Sequence, residues 1–252
     1  KIRKGKPIGL PYQGSKKKIS KKIIEIIKQN FGTDKPIYDI FGGGGAIAAE
    51  CILNGLEVHY NDLDKDITDM FQRVISQDRE WIKTLIVSRE EFFEIKSKDI
   101  KTVDDKLKLL VNSFGNNKKS YLYNAEWANL KYNLAIEIID KHDVFSGYKQ
   151  TETWLNQYRE LEQLERLQQL EQQGRLGRLQ QLQQLQQIER LQQLERLEPT
   201  NLSYEAFSDI EDAIFYLDPP YENTTQKSYK FDFDSQTFYD WAFEMSKKNI
   251  VL

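Results

Sequence analysis

One cysteine in 252 residues, Cys51, excludes a disulfide framework, and the two histidines, His59 and His142, form no tight cluster with it. No metal site is expected from such a set, and a lone thiol suits a reducing, cytoplasmic setting. Long apolar runs are missing too. No stretch approaches the roughly 20 residues that a membrane-spanning helix needs, and the lysine-rich start lacks the apolar centre of a signal peptide. The chain therefore reads as soluble, with no membrane partner. A large excess of charge is also absent: the formal net charge is −3, which argues against indiscriminate binding to polyanions. Net charge hides distribution, however. Lys1, Arg3, Lys4, Lys6, Lys16, Lys17, Lys18, Lys21, Lys22 and Lys28 crowd the first segment, with only Glu25 opposing them. Such a run is either the solvated face of an amphipathic helix or a surface for phosphates.

Proline is scarce as well, six in all, yet two of the six are adjacent in Asp218-Pro219-Pro220-Tyr221. This tetrapeptide follows the apolar run 213–217, which reads as a buried strand. Paired prolines fix φ and supply no N–H, so the chain leaves the ladder there and its carbonyls are available to a ligand. A carboxylate, an available carbonyl and an aromatic face at a strand tip suit an amino group on a planar ring. The same residues also make an ordinary proline turn.

Upstream, 36–40 reads as a strand running into Phe41 and four glycines, Gly42, Gly43, Gly44 and Gly45, with a small-residue helix behind them. Glycines let backbone approach a ligand and aim helix N–H groups at it, although they also serve as plain turns. A second strand over 56–60 closes on Asn61 and Asp62, about twenty residues after the glycines, where an acid can take ribose hydroxyls. His59, inside that strand, reads as structural. Residues 20–30 read as a helix with Ile19, Ile23, Ile26 and Ile27 on one side, 65–142 as mostly helical, and 235–248 as a helix before a last strand at 249–252. In the loop 113–124, Asn116, Asn117, Lys118, Lys119 and Tyr121 can reach base edges and phosphates, and equally make a polar loop.

From Leu161 to Leu197 every third residue is Leu or Ile, Gln173 excepted, and the positions between are Gln, Glu, Arg or Gly. A step of three turns about 300° in an α-helix, so the leucines are expected to march around it without forming one stripe. A helical hairpin turning at Gly174 and Gly177, a compact solenoid and a disordered tract all remain open. Expansion of a short repeat in a tolerant loop accounts for the segment, as does an arm for self-association or for clamping DNA.

Taken together, four segments resemble the DNA adenine methylase family of S-adenosylmethionine-dependent amino-methyltransferases: 11–16 its N-terminal cofactor motif, 39–45 its glycine motif, 61–62 its ribose motif and 218–221 its catalytic motif. The likeness covers most of 7–252 apart from the repeat. It implies an α/β fold, a Rossmann-like methyltransferase sheet with helices on both faces, and strands beyond Leu252 that this chain lacks. It divides the chain into a catalytic domain (1–64 and 199–252), a target-recognition region (65–150) and the Leu/Gln-rich insertion (151–198). S-adenosylmethionine is the implied cofactor, held by Tyr12, Lys16, Asp39, Phe41, Gly42 to Gly45, Asp62, backbone at Tyr204, and Asp218. Double-stranded DNA is the implied partner. The implied reaction is methylation of adenine N6, with Asp218, Pro219, Pro220 and Tyr221 catalytic and the base flipped out of the duplex. The run Phe41-Gly42-Gly43-Gly44-Gly45 has glycine where the family often has alanine or valine, which is expected to loosen the loop without abolishing it. Cytosine N4 or RNA adenine are alternative targets, and a catalytically inactive DNA-binding or assembly protein built on the repeat is an alternative of another class. A monomer is expected, self-association through the repeat and a restriction nuclease partner being compatible with it.

Overall fold

The structure, a computed structural model, describes residues 1–168, 178–220 and 233–252. It comprises two compact units, one formed by Lys1–Ile75 with Gln193–Leu252, the other by Ser76–Gln192. None of the described helices is long and apolar enough to cross a membrane.

The first unit is built on a parallel sheet of β1 (Ile37–Asp39), β2 (Val58–Tyr60), β3 (Ile214–Tyr216) and β4 (Ile250–Val251), in the order β2-β1-β3-β4. Strand side chains alternate between faces, and both faces are covered. On one, Ile37 and Ile214 meet Ile24 and Ile27 of α1 (Lys17–Phe31) and Ile47 and Cys51 of α2 (Ala46–Leu53). On the other, Phe215 and Tyr38 meet Phe207, Trp241 and Met245, the last two from a C-terminal helix over Ser235–Ser246. This is the α/β class read from the sequence. Because β1 is flanked by β2 on one side and β3 on the other, the strand order reverses between β1 and β3. In such sheets ligands bind at the carboxyl ends of the strands beside that point.

Three short segments outside the strands fasten the carboxyl edge. The buried Asn61 side chain donates to the carbonyls of Ile40 (3.0 Å) and Leu202 (2.9 Å) and accepts from Leu202 N–H (2.8 Å). It thereby ties the end of β2 to the turn after β1 and to the chain returning from the second unit. Thr200 forms one parallel bridge with Asn61, and the chain then makes a 3-10 turn over Tyr204–Phe207. His59 is half-exposed and stacks on Tyr38 at 4.4 Å, consistent with a structural role.

The helix α3 (Lys65–Ile75) was grouped with the recognition region in the sequence reading, but lies in the first unit. Its apolar stripe explains this: Ile67, Met70, Phe71 and Val74 are buried, and the Phe71 ring meets Tyr60 of β2 at 5.0 Å.

The second unit is helical: α4 (Arg79–Lys83), α5 (Arg89–Ser97), α6 (Val103–Val111), α7 (Ala125–Lys141), α8 (Glu152–Gln168) and α9 (Gln180–Glu189). Polar caps set the starts of four of them. Asp78, Ser88, Thr102 and Asn124 each accept from a backbone N–H in the first turn, and Thr102 with Asp105 completes a capping box.

The Leu/Gln repeat departs from expectation. Rather than standing apart as 151–198, its second half is core of the second unit, with α9 against α4, α6 and α7. Leu179, Leu182, Leu185, Ile188 and Leu191 are all fully buried. The drift of 60° per step does not scatter them because the helix is short. From Leu182 to Ile188 it sums to only about 120°, the width of an ordinary buried stripe. The chain then tightens to a 3-10 helix at Arg190–Leu194, whose period of three matches the repeat. The turn expected at Gly174 and Gly177 lies outside the described residues.

With α10 naming the helix Ser235–Ser246, whose N-cap Asp234 accepts from Thr237 N–H, the elements that carry the candidate site are complete.

Candidate active site

At the carboxyl ends of β1, β2 and β3 the first unit opens into a cleft, the place where sheets of this kind take their ligands. Tyr12, Lys16, Asp39, Phe41, Gly42, Gly43, Gly44, Asp62, Asp218 and Pro220 line it. Residues far apart in the chain are thus brought together by three strand ends and the segment before α1.

Several expected residues stand elsewhere. Gly45 is the N-cap of α2, in the left-handed region at φ 81°. Tyr204 stands behind the cleft wall, its ring against Phe41 at 6.3 Å and Trp241 at 5.0 Å. Pro219 opens on a neighbouring recess with Leu217, Phe238 and Tyr239. Tyr221 lies outside the described residues. The cleft also takes in Gln13, Leu63, Asp64, Ile67, Tyr216 and Phe233, which were not singled out. Strand alternation from Asp218 pointed at Tyr216, and Leu63 and Asp64 directly follow the ribose acid. No sequence signal pointed at Phe233, whose ring meets Phe41 edge-on at 6.0 Å.

The loop 42–45 is not loosened by its glycines. Gly42 N–H donates to Asn61 O (2.9 Å), Gly45 N–H to Gly42 O (2.9 Å), and Gly44 O accepts from Leu10 N–H (2.9 Å). Gly43 N–H donates to Asp62 Oδ2 at 2.8 Å, and Gly43 O accepts from the Tyr60 hydroxyl. A Cβ on Gly42 would meet the Tyr60 ring at 2.4 Å, so glycine here is what allows that ring to pack under the loop.

Four carboxylates line this space, Asp39, Asp62, Asp64 and Asp218. Asp39, buried at the end of β1, is pushed up to about 8, chiefly by burial and then by the negative Asp62, with Ala48 N–H opposing and Asp218 adding further. Its Oδ2 has no hydrogen-bond partner among the described residues. Burial also raises Asp62, against N–H bonds from Asp64 and Gly43. Asp218 Oδ2 forms an ion pair with Lys16 Nζ at 3.1 Å, joining the N-terminal segment to the proline corner.

The sequence profile of the D12 class N6 adenine-specific DNA methyltransferases matches residues 12–249. The chain belongs to that family. As such a methyltransferase it acts on the N6 amine of adenine in DNA, and the matched span takes in every cleft-lining residue named above. No curated protein sequence matches the chain.

The candidate DNA-contacting residues of the methyltransferase belong to the second unit. Tyr121 is a correction: it is buried, with its hydroxyl donating to Val87 O at 2.8 Å, and belongs to the core. Asn116, at φ 56°, donates to Leu110 O (3.0 Å), while Asn117 Oδ1 accepts from the N–H groups of Lys119 (2.7 Å) and Ser120 (2.9 Å). Both amides therefore shape the loop. Lys118, also at positive φ, donates its N–H to Ser113 Oγ at 2.8 Å, and Lys119 is exposed.

Proposed function

We propose that this methyltransferase uses S-adenosylmethionine to methylate adenine N6 in duplex DNA after flipping the base, with the first unit catalytic and the second recognising the target. The observation that supports this reading is the cleft itself, where the glycine loop, Asp39, Asp62 and Asp218 meet at the reversal of strand order.

The cleft suits the cofactor on its own terms. Asp39 offers a buried Oδ2 that has no hydrogen-bond partner among the described residues, suited to a cationic ligand. Asp62, fixed by Gly43 and Asp64, keeps lone pairs for ribose hydroxyls, since a carboxylate accepts about four bonds. Tyr12, Lys16 and Phe41 complete the walls. When bound, S-adenosylmethionine supplies a methyl group activated by its sulfonium.

The chain's task is to make the amine nucleophilic. Its lone pair is delocalised into the ring, and acceptance of its hydrogens by the Asp218 carboxylate and the Pro219 carbonyl favours the pyramidal form. No strong base is required. Tyr221 would stack on the flipped base, offsetting an unstacking cost of a few kcal/mol, and positioning supplies most of the rate. The enzyme acts as a monomer in the cytoplasm, its exposed lysines on duplex phosphates.

Asp218→Ala tests the assignment. Calorimetry is expected to find S-adenosylmethionine still bound, while mass spectrometry of nucleosides from treated DNA finds N6-methyladenine reduced by at least about a thousandfold. Methyl transfer surviving the substitution would remove Asp218 from the chemistry; absence of binding to the unaltered chain would remove the cofactor reading.

A further inference from the structure

The repeat contributes one residue of a different kind from its leucines. Gln181 is fully buried within α9, and its side-chain Nε2 donates to Asn112 Oδ1 at 2.7 Å and Val87 O at 3.0 Å, with the Tyr121 hydroxyl at 3.3 Å. Three acceptors around one amide leave no doubt which end is the donor. The Oε1 atom, in turn, has no partner among the described residues. The neighbouring Gln183 and Gln186 are only partly buried, Gln183 donating to the Tyr148 hydroxyl at 3.4 Å and Gln186 to Val144 O at 2.7 Å.

What Gln181 joins is the base of the loop 113–120. Asn112 caps the end of α6 immediately before the loop, and Tyr121 immediately follows it. Asn112 also donates to Leu85 O (2.8 Å) and Lys108 O (2.7 Å) and accepts from Val87 N–H (3.2 Å). Above this base the chain holds left-handed backbone at Gly115, Asn116 and Lys118, with Phe114 65 % exposed. Such backbone persists only where its surroundings over-determine it.

We propose that Gln181 is a positioning residue for DNA recognition: it cross-ties Asn112 and Tyr121, so that the Leu/Gln repeat serves as an internal clamp on the loop 113–120. The leucines supply burial, which any triplet of the repeat could supply, and Gln181 supplies the directional bonds that hold the loop's two ends. The inference rests on the reading that this loop meets DNA.

Gln181→Met keeps the length and apolar shape while removing both N–H donors. It also removes the unpartnered Oε1, and both main acceptors keep another donor, so the fold is retained. Gln184→Leu, three residues on and also with an unpartnered Oε1, is the control. In the full chain, Gln181→Met is expected to speed amide hydrogen exchange about tenfold across 114–120. It is also expected to raise KM for a target duplex at least about fivefold, with kcat and S-adenosylmethionine affinity unchanged; Gln184→Leu changes none of these. Tyr121→Phe, which deletes only the hydroxyl, is expected to shift exchange in the same direction and serves if Gln181→Met does not fold. Unchanged exchange in the loop overturns the clamp. Faster exchange with an unchanged KM upholds the clamp and refutes DNA contact by the loop.

Discussion

Asp39 is held neutral by its surroundings until something positive enters the cleft. Its folded pKa of about 8 lies above the ordinary value of 3.8, so the folded chain binds more protons than the unfolded one between those limits. Stability should therefore fall as pH rises from about 4 to about 8 and level off above. Thermal unfolding between pH 5 and 9 is expected to show that slope in the unaltered chain and a shallower one in Asp39→Asn; parallel profiles would show that Asp39 is ionised throughout. A bound cation favours the charged carboxylate, so binding at pH 7 should release a proton, which calorimetry in buffers of different ionisation enthalpy reads directly. The position of Asp39 in the glycine segment was legible in the sequence. Its shift was not, because it comes chiefly from burial and then from Asp62 and Asp218, all of which only the folded sheet brings about.

Among the elements, the turn from β1 into α2 is the most constrained. Gly45 has φ 81°, and a Cβ there would lie 2.6 Å from the Phe71 ring. Gly45→Ala combines left-handed strain with overpacking and is expected to cost about 2 kcal/mol in urea unfolding; a loss below about 0.5 kcal/mol would mean that α3 yields readily. Strands and this loop could be read from the chain because apolar runs ending in glycine, proline or acid leave few alternatives. The repeat could not. A period of three is wrong for a long helix and acceptable for a short one that continues as 3-10, and helix length is decided by the partners α4, α6 and α7. Tyr121 misled for a related reason, since a tyrosine flanked by lysines and asparagines looks like surface until Gln181 and Val87 are seen to enclose its hydroxyl.

At the scale of the whole molecule, the acidic balance conceals a basic segment, much of it already engaged. Arg3 pairs with Glu50 at 2.8 Å, Lys16 with Asp218 at 3.1 Å, and Lys28 with Glu25 at 3.8 Å. Lys18 and Lys22 are on the exposed side of α1. If both meet phosphates, Lys18→Gln with Lys22→Gln should weaken duplex binding irrespective of sequence and reduce the slope of log affinity against log salt by about 2. Fluorescence anisotropy across a salt series measures it, and an unchanged slope would place the phosphate contacts elsewhere. The resemblance implied a Rossmann-like sheet and a catalytic domain over 1–64 and 199–252, but the packing of α9 within the second unit was not legible, because a repeat without an evident stripe gives no sign of what it packs on. That packing bears on how the gene can change. Gain or loss of a three-codon block ahead of α9 returns a leucine or isoleucine to each of the seats 179–194, whereas gain of a single codon sets glutamine or arginine in them and loss of one sets glutamine or glutamate. The repeat can thus lengthen or shorten by whole triplets with its buried comb intact, and the seat of Gln181 is where such a change would be noticed.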